Sequence, residues 1–178
     1  MIKVLPEIEK RRSVRKYTPA KVEYEKLSTV LEAGRLAPSA CNAQPWRFVV
    51  LQDLDKKNNF ADEVFSGLYS NTKFAKDAPV IIAIVSNKGN FTSRAGNMIR
   101  KTEFYLIDLG ITAQTMCLQA QNLGLGTCML GWFDDKKAAK FLNLKSGEKC
   151  ELLVALGYGA EAPAQRPRKE MNEIVEQI

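Results

Sequence analysis

The 178-residue sequence contains no histidine. That absence removes Ser-His-Asp and Cys-His nucleophile schemes, His-ligated metals and the commonest general base. Cysteine is sparse and scattered: Cys41, Cys117, Cys128 and Cys150 form no CxxC pair. In a chain of this length they make no disulfide framework, and their spacing is wrong for zinc, so free thiols and no metal are expected. No apolar run approaches the ~18 residues that cross a bilayer; the longest, Pro79 to Val85, has strand length. The opening residues, Met-Ile-Lys-Val-Leu-Pro-Glu, lack the apolar core and small-residue cleavage site of a secretory leader, so a cytoplasmic protein is expected. Chemistry in such a chain falls to something it binds.

What is present is ordinary globular material, 46% hydrophobic and 26% charged. The length suits a single domain over residues 1–178, with an extended C-terminal tail from about residue 160. A net charge of +6 admits nucleic acid, an acidic membrane or an anionic small molecule as partner. The positive residues are spread along the chain, with small clusters at Lys10 to Lys16 and Arg166 to Lys169, and no RNA-binding or helix-turn-helix pattern accompanies them. Neither nucleic acid nor membrane is therefore expected as a partner.

Hydrophobic periodicity places the elements. Pro6 suits the first turn of a short helix ending near Arg11. Leu27, Val30, Leu31 and Gly34 recur on one helical face from Val22 onward, and Pro38 ends the pattern. Trp46 to Leu51 reads as a strand, and residues 55–75 as a helix followed by a mobile loop. Pro79 to Val85 is apolar on both faces, as a central strand should be. After a Gly, Asn and Ser-rich connection over Asn87 to Asn97, a long helix runs from about Ile99 to Asn122 and stops at Gly124. Its second half is apolar nearly all round, which predicts a partner subunit over one side. Thr127 to Gly131 and Cys150 to Gly157 are further strands, and Asp134 caps a helix through Leu142. The expected fold is α+β, with four or five strands in a central sheet surrounded by helices.

Two stretches carry candidate chemistry. Arg11, Arg12, Ser13 and Arg15 crowd a hydroxyl and three guanidinium groups together, good equipment for a phosphate. An extended segment from Ser13 to Tyr17 would turn Ser13 and Arg15 to one side. A loop of small and amide side chains, Pro38-Ser39-Ala40-Cys41-Asn42-Ala43-Gln44-Pro45, follows one helix later and suits the edge of a flat heterocycle. Each has a plainer reading: the arginines as a solvated helix end, the loop as a helix stop and turn. Gly124-Leu125-Gly126 matches no nucleotide-binding loop and lies between helix and strand, the reverse of the required order. Gly131, at a strand exit before Trp132, would let backbone amides come close to a ligand. Trp132 and Phe74 could stack on a ligand or simply be core. Cys41 has no base in sight to activate it.

Taken together, RRSVRKY near the N-terminus, APSACNAQPWRF some twenty residues later, QAQNLGLGTCMLG at the end of the apolar helix, and LGYGAEAPAQRPRKEMNEIV near the C-terminus resemble the nitroreductase family. These are FMN-dependent NAD(P)H oxidoreductases with a homodimeric α+β fold around a mostly antiparallel sheet. The resemblance implies that Arg11, Arg12, Ser13 and Arg15 grip the phosphate and ribityl chain, the last reaching the pyrimidine edge of the flavin. It assigns Pro38, Ser39, Ala40, Asn42 and Gln44 to a loop that lines the isoalloxazine of the other subunit; Ala40 stands where serine is common. It sets the backbone of Leu130 and Gly131 near flavin N5, Arg166 and Arg168 at the phosphate, and Asn71 near a flavin-contacting position of some members.

The function so implied moves a hydride from NADH or NADPH through flavin N5 to a nitroaromatic, quinone or similar conjugated acceptor, in ping-pong fashion. The ring chemistry is the cofactor's, and the protein supplies position and electrostatics. Residues 60–75 and 87–97 are candidate substrate loops. Two other kinds of function stay open: a specialised flavoenzyme of the same fold, reductive-dehalogenase-like or flavin-destroying, and a non-catalytic FMN-binding protein or basic interaction module.

Overall fold

The computed structural model describes residues 3–87 and 102–178. Along the chain lie α1 (Pro6–Lys10), α2 (Tyr24–Arg35), a 3₁₀ turn (Ala40–Asn42), β1 (Trp46–Leu51), α3 (Leu54–Val64), 3₁₀ turns (Gly67–Asp77), β2 (Val80–Ser86), α4 (Phe104–Asn122), β3 (Gly126–Leu130), α5 (Asp135–Phe141), β4 (Lys149–Gly157) and α6 (Met171–Ile174). The four strands form one antiparallel sheet in the order β1-β2-β4-β3. This is the expected α+β class with four strands. Every residue of β2 is buried, which is why its sequence shows no alternation and why it occupies the interior of the sheet.

Alternation along the two central strands sorts the core into two layers. Ile81, Ala83, Leu153 and Ala155 face α3 and α5, packing with Phe60, Val64, Phe65 and Ala138. Ile82, Ile84, Val154 and Leu156 face α2 and α4, packing with Leu27, Val30, Leu109, Ala113 and Met116. Burying each large aliphatic side chain stabilises the fold by about 1.5–3 kcal/mol before entropy is charged against it.

Helices α2 and α4 cross closely at Gly34. A Cβ there would stand 2.8 Å from Met116 Sδ and 2.9 Å from Phe48 Cζ, tighter than real contacts allow. Thr112 of α4 donates to the Gly34 carbonyl at 2.7 Å across the same crossing. The end of α4 follows the expected logic: Gly124 takes φ +74°, Gly124 N–H donates to Gln121 O at 3.1 Å, and Leu125 N–H to Ala120 O at 2.8 Å. Those paired bonds are a Schellman stop.

Some expectations shift. Helix α2 begins at Tyr24 rather than Val22, with Glu23 in extended backbone before it. Where a mobile loop was expected to follow the helix within residues 55–75, residues 67–77 are wound into 3₁₀ turns, with Ala75 wholly buried as their anchor. Helix α4 starts at Phe104; residues 99–101, and the connection after Asn87, lie outside the described residues.

The N-terminal arm is stitched to the far edge of the sheet. Val14 N–H donates to Thr127 O of β3 at 2.9 Å, Thr18 N–H to Tyr158 O at 2.9 Å, and Ala160 N–H to Lys16 O at 2.8 Å. Val14 and Tyr17 are buried, and the Tyr17 hydroxyl donates back to Val14 O at 2.8 Å. Ser13 and Arg15 are left on the outer side, as the alternation predicts; Tyr17 departs from it by turning inward.

Candidate functional site

The arm and the C-terminal segment meet. Arg11, Arg12, Ser13 and Arg15 line one cleft of about 330 Å³ together with residues 163–168, Arg166 and Arg168 among them. Five guanidinium groups therefore surround one space, brought there because the arm pairs with β3 while the segment after β4 crosses it. Their hydrogen bonds go to main-chain carbonyls. Arg12 donates to Glu9 O at 2.6 Å and to Arg11 O at 2.9 Å, and Arg15 to Ser13 O at 3.2 Å. Arg168 donates to Arg166 O and Pro167 O, both at 3.1 Å.

Among the described residues, none of the five is ion-paired with a carboxylate. Glu161 reaches the arm through the Arg15 main-chain N–H instead, at 2.8 Å. Like charges gathered without a counter-ion repel one another, and a doubly charged oxyanion with several acceptor oxygens answers both the charge and the donor geometry. The donor set fits a phosphate monoester.

From the cleft, contacts lead to the exit of β3. The Arg15 guanidinium lies 5.9 Å from the centroid of the Phe74 ring, within cation–π range. In the same 3₁₀ segment, Thr72 Oγ1 donates to Trp132 O at 2.9 Å, and Trp132 Nε1 donates to Leu68 O at 3.1 Å. The segment carrying Asn71, itself exposed, is thus clamped between the arm and the residue that follows Gly131. At Gly131 an added Cβ would meet none of the described residues within 4 Å, so the backbone there faces open space among them. Leu130 is 3% exposed, its side chain spent in the core, which leaves only its main chain for a ligand.

Comparison with known proteins decides the relationship. The model of the nitroreductase family matches residues 8–73 and 66–158. The chain belongs to the nitroreductase family. It is accordingly an oxidoreductase. It is similar to an FMN-dependent nitroreductase of Clostridium difficile R20291, 30% identical, with TM-score 0.73 over 94% of this chain and 92% of that one. It is 26% identical to an oxygen-insensitive NADPH nitroreductase of Helicobacter acinonychis, over 85% of this chain and 84% of the relative. It is also 28% identical to iodotyrosine deiodinase 1 of Sus scrofa, over 94% of this chain and 66% of that protein.

The remaining expected residues of this nitroreductase-family chain sit elsewhere. Pro38, Ser39, Ala40, Asn42 and Gln44 follow α2, and none of them lines the arginine cleft of their own chain. Three residues of their loop have positive φ: Cys41 at 52°, Asn42 at 50° and Gln44 at 45°. For residues other than glycine this costs on the order of 1 kcal/mol each, asparagine less, and survives only where surroundings enforce it. Ser39 Oγ accepts from Gln44 N–H at 2.9 Å inside the loop.

Asp108, the one acidic residue within α4, was not expected to matter; α4 reads as core or interface. The structure buries it to 3% exposure and sets its Oδ1 3.0 Å from the Ala40 N–H. A carboxylate in the middle of an apolar helical run is the signal that would have singled it out. Glu161 is the other omission; it lies inside the quoted C-terminal stretch, but its residue type alone gave it no role.

The cysteines are all free, and only Cys41 is exposed. Burial pushes the Cys150 thiol up to about 12. Burial also raises Cys117 and Cys128 above their ordinary value, against the pull of Arg11 on both and of Arg15 on Cys128. These three are packing residues rather than nucleophiles. Among the described residues no cluster of acidic or sulfur side chains could hold a metal, and no helix is long and apolar enough to cross a membrane.

Proposed function

We propose that this chain is an FMN-dependent NAD(P)H oxidoreductase that reduces nitroaromatics, quinones or similar conjugated acceptors and works as a homodimer. The observation that carries the proposal is the cleft in which five arginines from opposite ends of the chain converge without a carboxylate among them. A phosphomonoester brings about 1.5–2 negative charges near neutral pH. Arg11, Arg12, Arg166 and Arg168 would balance that charge, Ser13 would add a hydroxyl, and Arg15 would reach toward the ring. The open backbone at Gly131 would admit the flavin edge, and Leu130 would contribute only its main chain. Asn71 would stand beside that edge. When bound, FMN supplies the redox step, a hydride taken at N5 from NADH or NADPH and passed on, so that reductant and acceptor use one pocket in turn.

Subunit pairing is supported by α4. Leu106 is 42%, Ile107 52% and Ile111 36% exposed, an apolar face that the described residues leave uncovered. The loop of Ser39, Asn42 and Gln44 lies away from its own cleft, which suits service to the flavin of a second copy. Purified protein should be yellow, bleach anaerobically with NADH or NADPH, and recover colour on adding a quinone or nitroaromatic. Initial rates should give parallel double-reciprocal lines. A colourless protein that takes up no FMN would overturn the reading.

A second reading has its own support in the similarity to iodotyrosine deiodinase, which spans nearly the whole chain. Under it, the reduced flavin would serve reductive dehalogenation of a halogenated phenol. Failure to oxidise NAD(P)H with quinones and nitroaromatics, together with halide release from an iodophenol, would favour that reading.

A further inference from the structure

We infer that Asp108 is a positioning residue: from inside α4 its carboxylate holds the loop 38–44 in the strained shape that offers Ser39, Asn42 and Gln44 to the flavin. The inference rests on the function proposed above.

The hydrogen bonds of the loop are otherwise its own. Asn42 N–H donates to Ser39 O at 3.0 Å, Ala43 N–H to Ala40 O at 3.0 Å, and Gln44 N–H to Ser39 Oγ at 2.9 Å. The Gln44 amide donates to Asn42 O at 3.3 Å and to Asn42 Oδ1 at 3.2 Å. None of these fixes the loop to the body of the protein. Among the described residues, the Ala40 N–H to Asp108 Oδ1 bond at 3.0 Å is the hydrogen bond that ties residues 39–44 to another element. Ser39, the residue before the turn, makes no side-chain cap to it, so Asp108 caps the first N–H of the Ala40–Asn42 turn from across the helix packing.

Asp108 is poorly placed for anything else. Aspartate in a helix interior competes with its own backbone, and a buried carboxylate loses its hydration. Its second oxygen, Oδ2, is buried with no hydrogen-bond partner among the described residues, so the cost is not recovered by a network. One turn further on, Thr112 donates to Gly34 O at 2.7 Å. Two polar side chains on one face of an apolar helix thus grip the exit of α2, one by a carbonyl and one by an amide. Three residues at positive φ need such outside restraint to persist.

The test compares Asp108→Ala with Asp108→Asn in the full-length chain. In apo protein, hydrogen exchange at the Ala40 amide should accelerate about tenfold or more in Asp108→Ala, and stay near wild type in Asp108→Asn, whose amide oxygen can accept the same N–H. FMN titration should show affinity about tenfold weaker for the alanine variant and rescued by asparagine. Ala40→Pro gives a second route. Ser39 is extended (φ −145°, ψ 155°), as a residue before proline must be, and the first position of a turn accepts proline, so only the N–H is lost. It should weaken FMN binding as Asp108→Ala does. Wild-type exchange and FMN affinity in Asp108→Ala, equal losses in both Asp108 variants, or full affinity in Ala40→Pro would each overturn the inference. If Asp108→Ala does not fold, Asp108→Asn and Ala40→Pro decide it. If the unaltered chain takes up no FMN, the proposed function fails, while the exchange comparison still judges Asp108.

Discussion

Arginine is used in two ways in this molecule. Arg35 on α2 and Arg47 on β1 each clamp a glutamate with two nitrogens, Glu32 at 2.6 and 2.7 Å and Glu148 at 2.8 and 3.0 Å. These guanidinium groups find their counter-ions within the chain, and they pull the Glu32 and Glu148 carboxyls below the usual range through the hydrogen bonds they donate. Arg11, Arg12, Arg15, Arg166 and Arg168 face one another across a cleft and have no such partner among the described residues. The side chain is the same in both places. What differs is whether the fold supplies the negative charge or leaves it to a ligand, and that difference is what turns a basic surface into a candidate site.

The comparison breaks most visibly at the cleft. Arg11→Ala combined with Arg168→Ala should weaken FMN binding by about 100-fold or more, since each charge-assisted bond to phosphate carries roughly 1.5–3 kcal/mol. The check is retention of visible absorbance through purification and a fluorescence titration of apo protein; a double variant that keeps its full flavin sinks the phosphate assignment. Raising ionic strength should loosen FMN in the unaltered protein while leaving the unfolding midpoint of the FMN-free protein nearly unchanged, because exposed charges are screened and the apolar core is not.

Two glycines sharpen the distinction between scaffold and site. Gly34→Ala should lower stability by about 1–3 kcal/mol in urea denaturation, because its methyl meets Met116 and Phe48 at the α2–α4 crossing. Gly131→Ala should fold with wild-type stability, since none of the described residues occupies the space its methyl would enter, yet bind FMN or acceptor less well. Loss of stability there without loss of binding would make Gly131 structural. The smallest effect belongs to the paired arginines. Arg35→Ala should leave the unfolding midpoint nearly unchanged, because an exposed ion pair contributes little, and leave FMN affinity alone; a flavin defect in that variant would erase the contrast drawn between the two sets.

The long apolar strand Val80–Ser86 was legible because continuous hydrophobicity over strand length has few other homes than the interior of a sheet. The Gly124 stop and the Asp134 cap were legible because both are local, set by a few neighbouring residues. The 3₁₀ winding of residues 67–77 was not, since no periodicity marks it and its shape follows from the burial of Ala75 and the ties to Arg15 and Trp132. The arginine clusters could be named from sequence, but as two clusters far apart in the chain, the first with a plain reading as a solvated helix end.

The chain alone determined which charges, amides and apolar faces were available, and by lacking histidine it confined the chemistry to what a ligand can bring. Those properties belong to residues and their near neighbours. Tertiary structure decided which of them meet: the pairing of Val14 with Thr127 and of Lys16 with Ala160 carries the first arginines to the last, and the α2–α4 crossing sets a lone aspartate against the Ala40 amide. Contacts between segments far apart in sequence depend on backbone pairing and packing across the whole sheet, and no window of neighbouring residues encodes them.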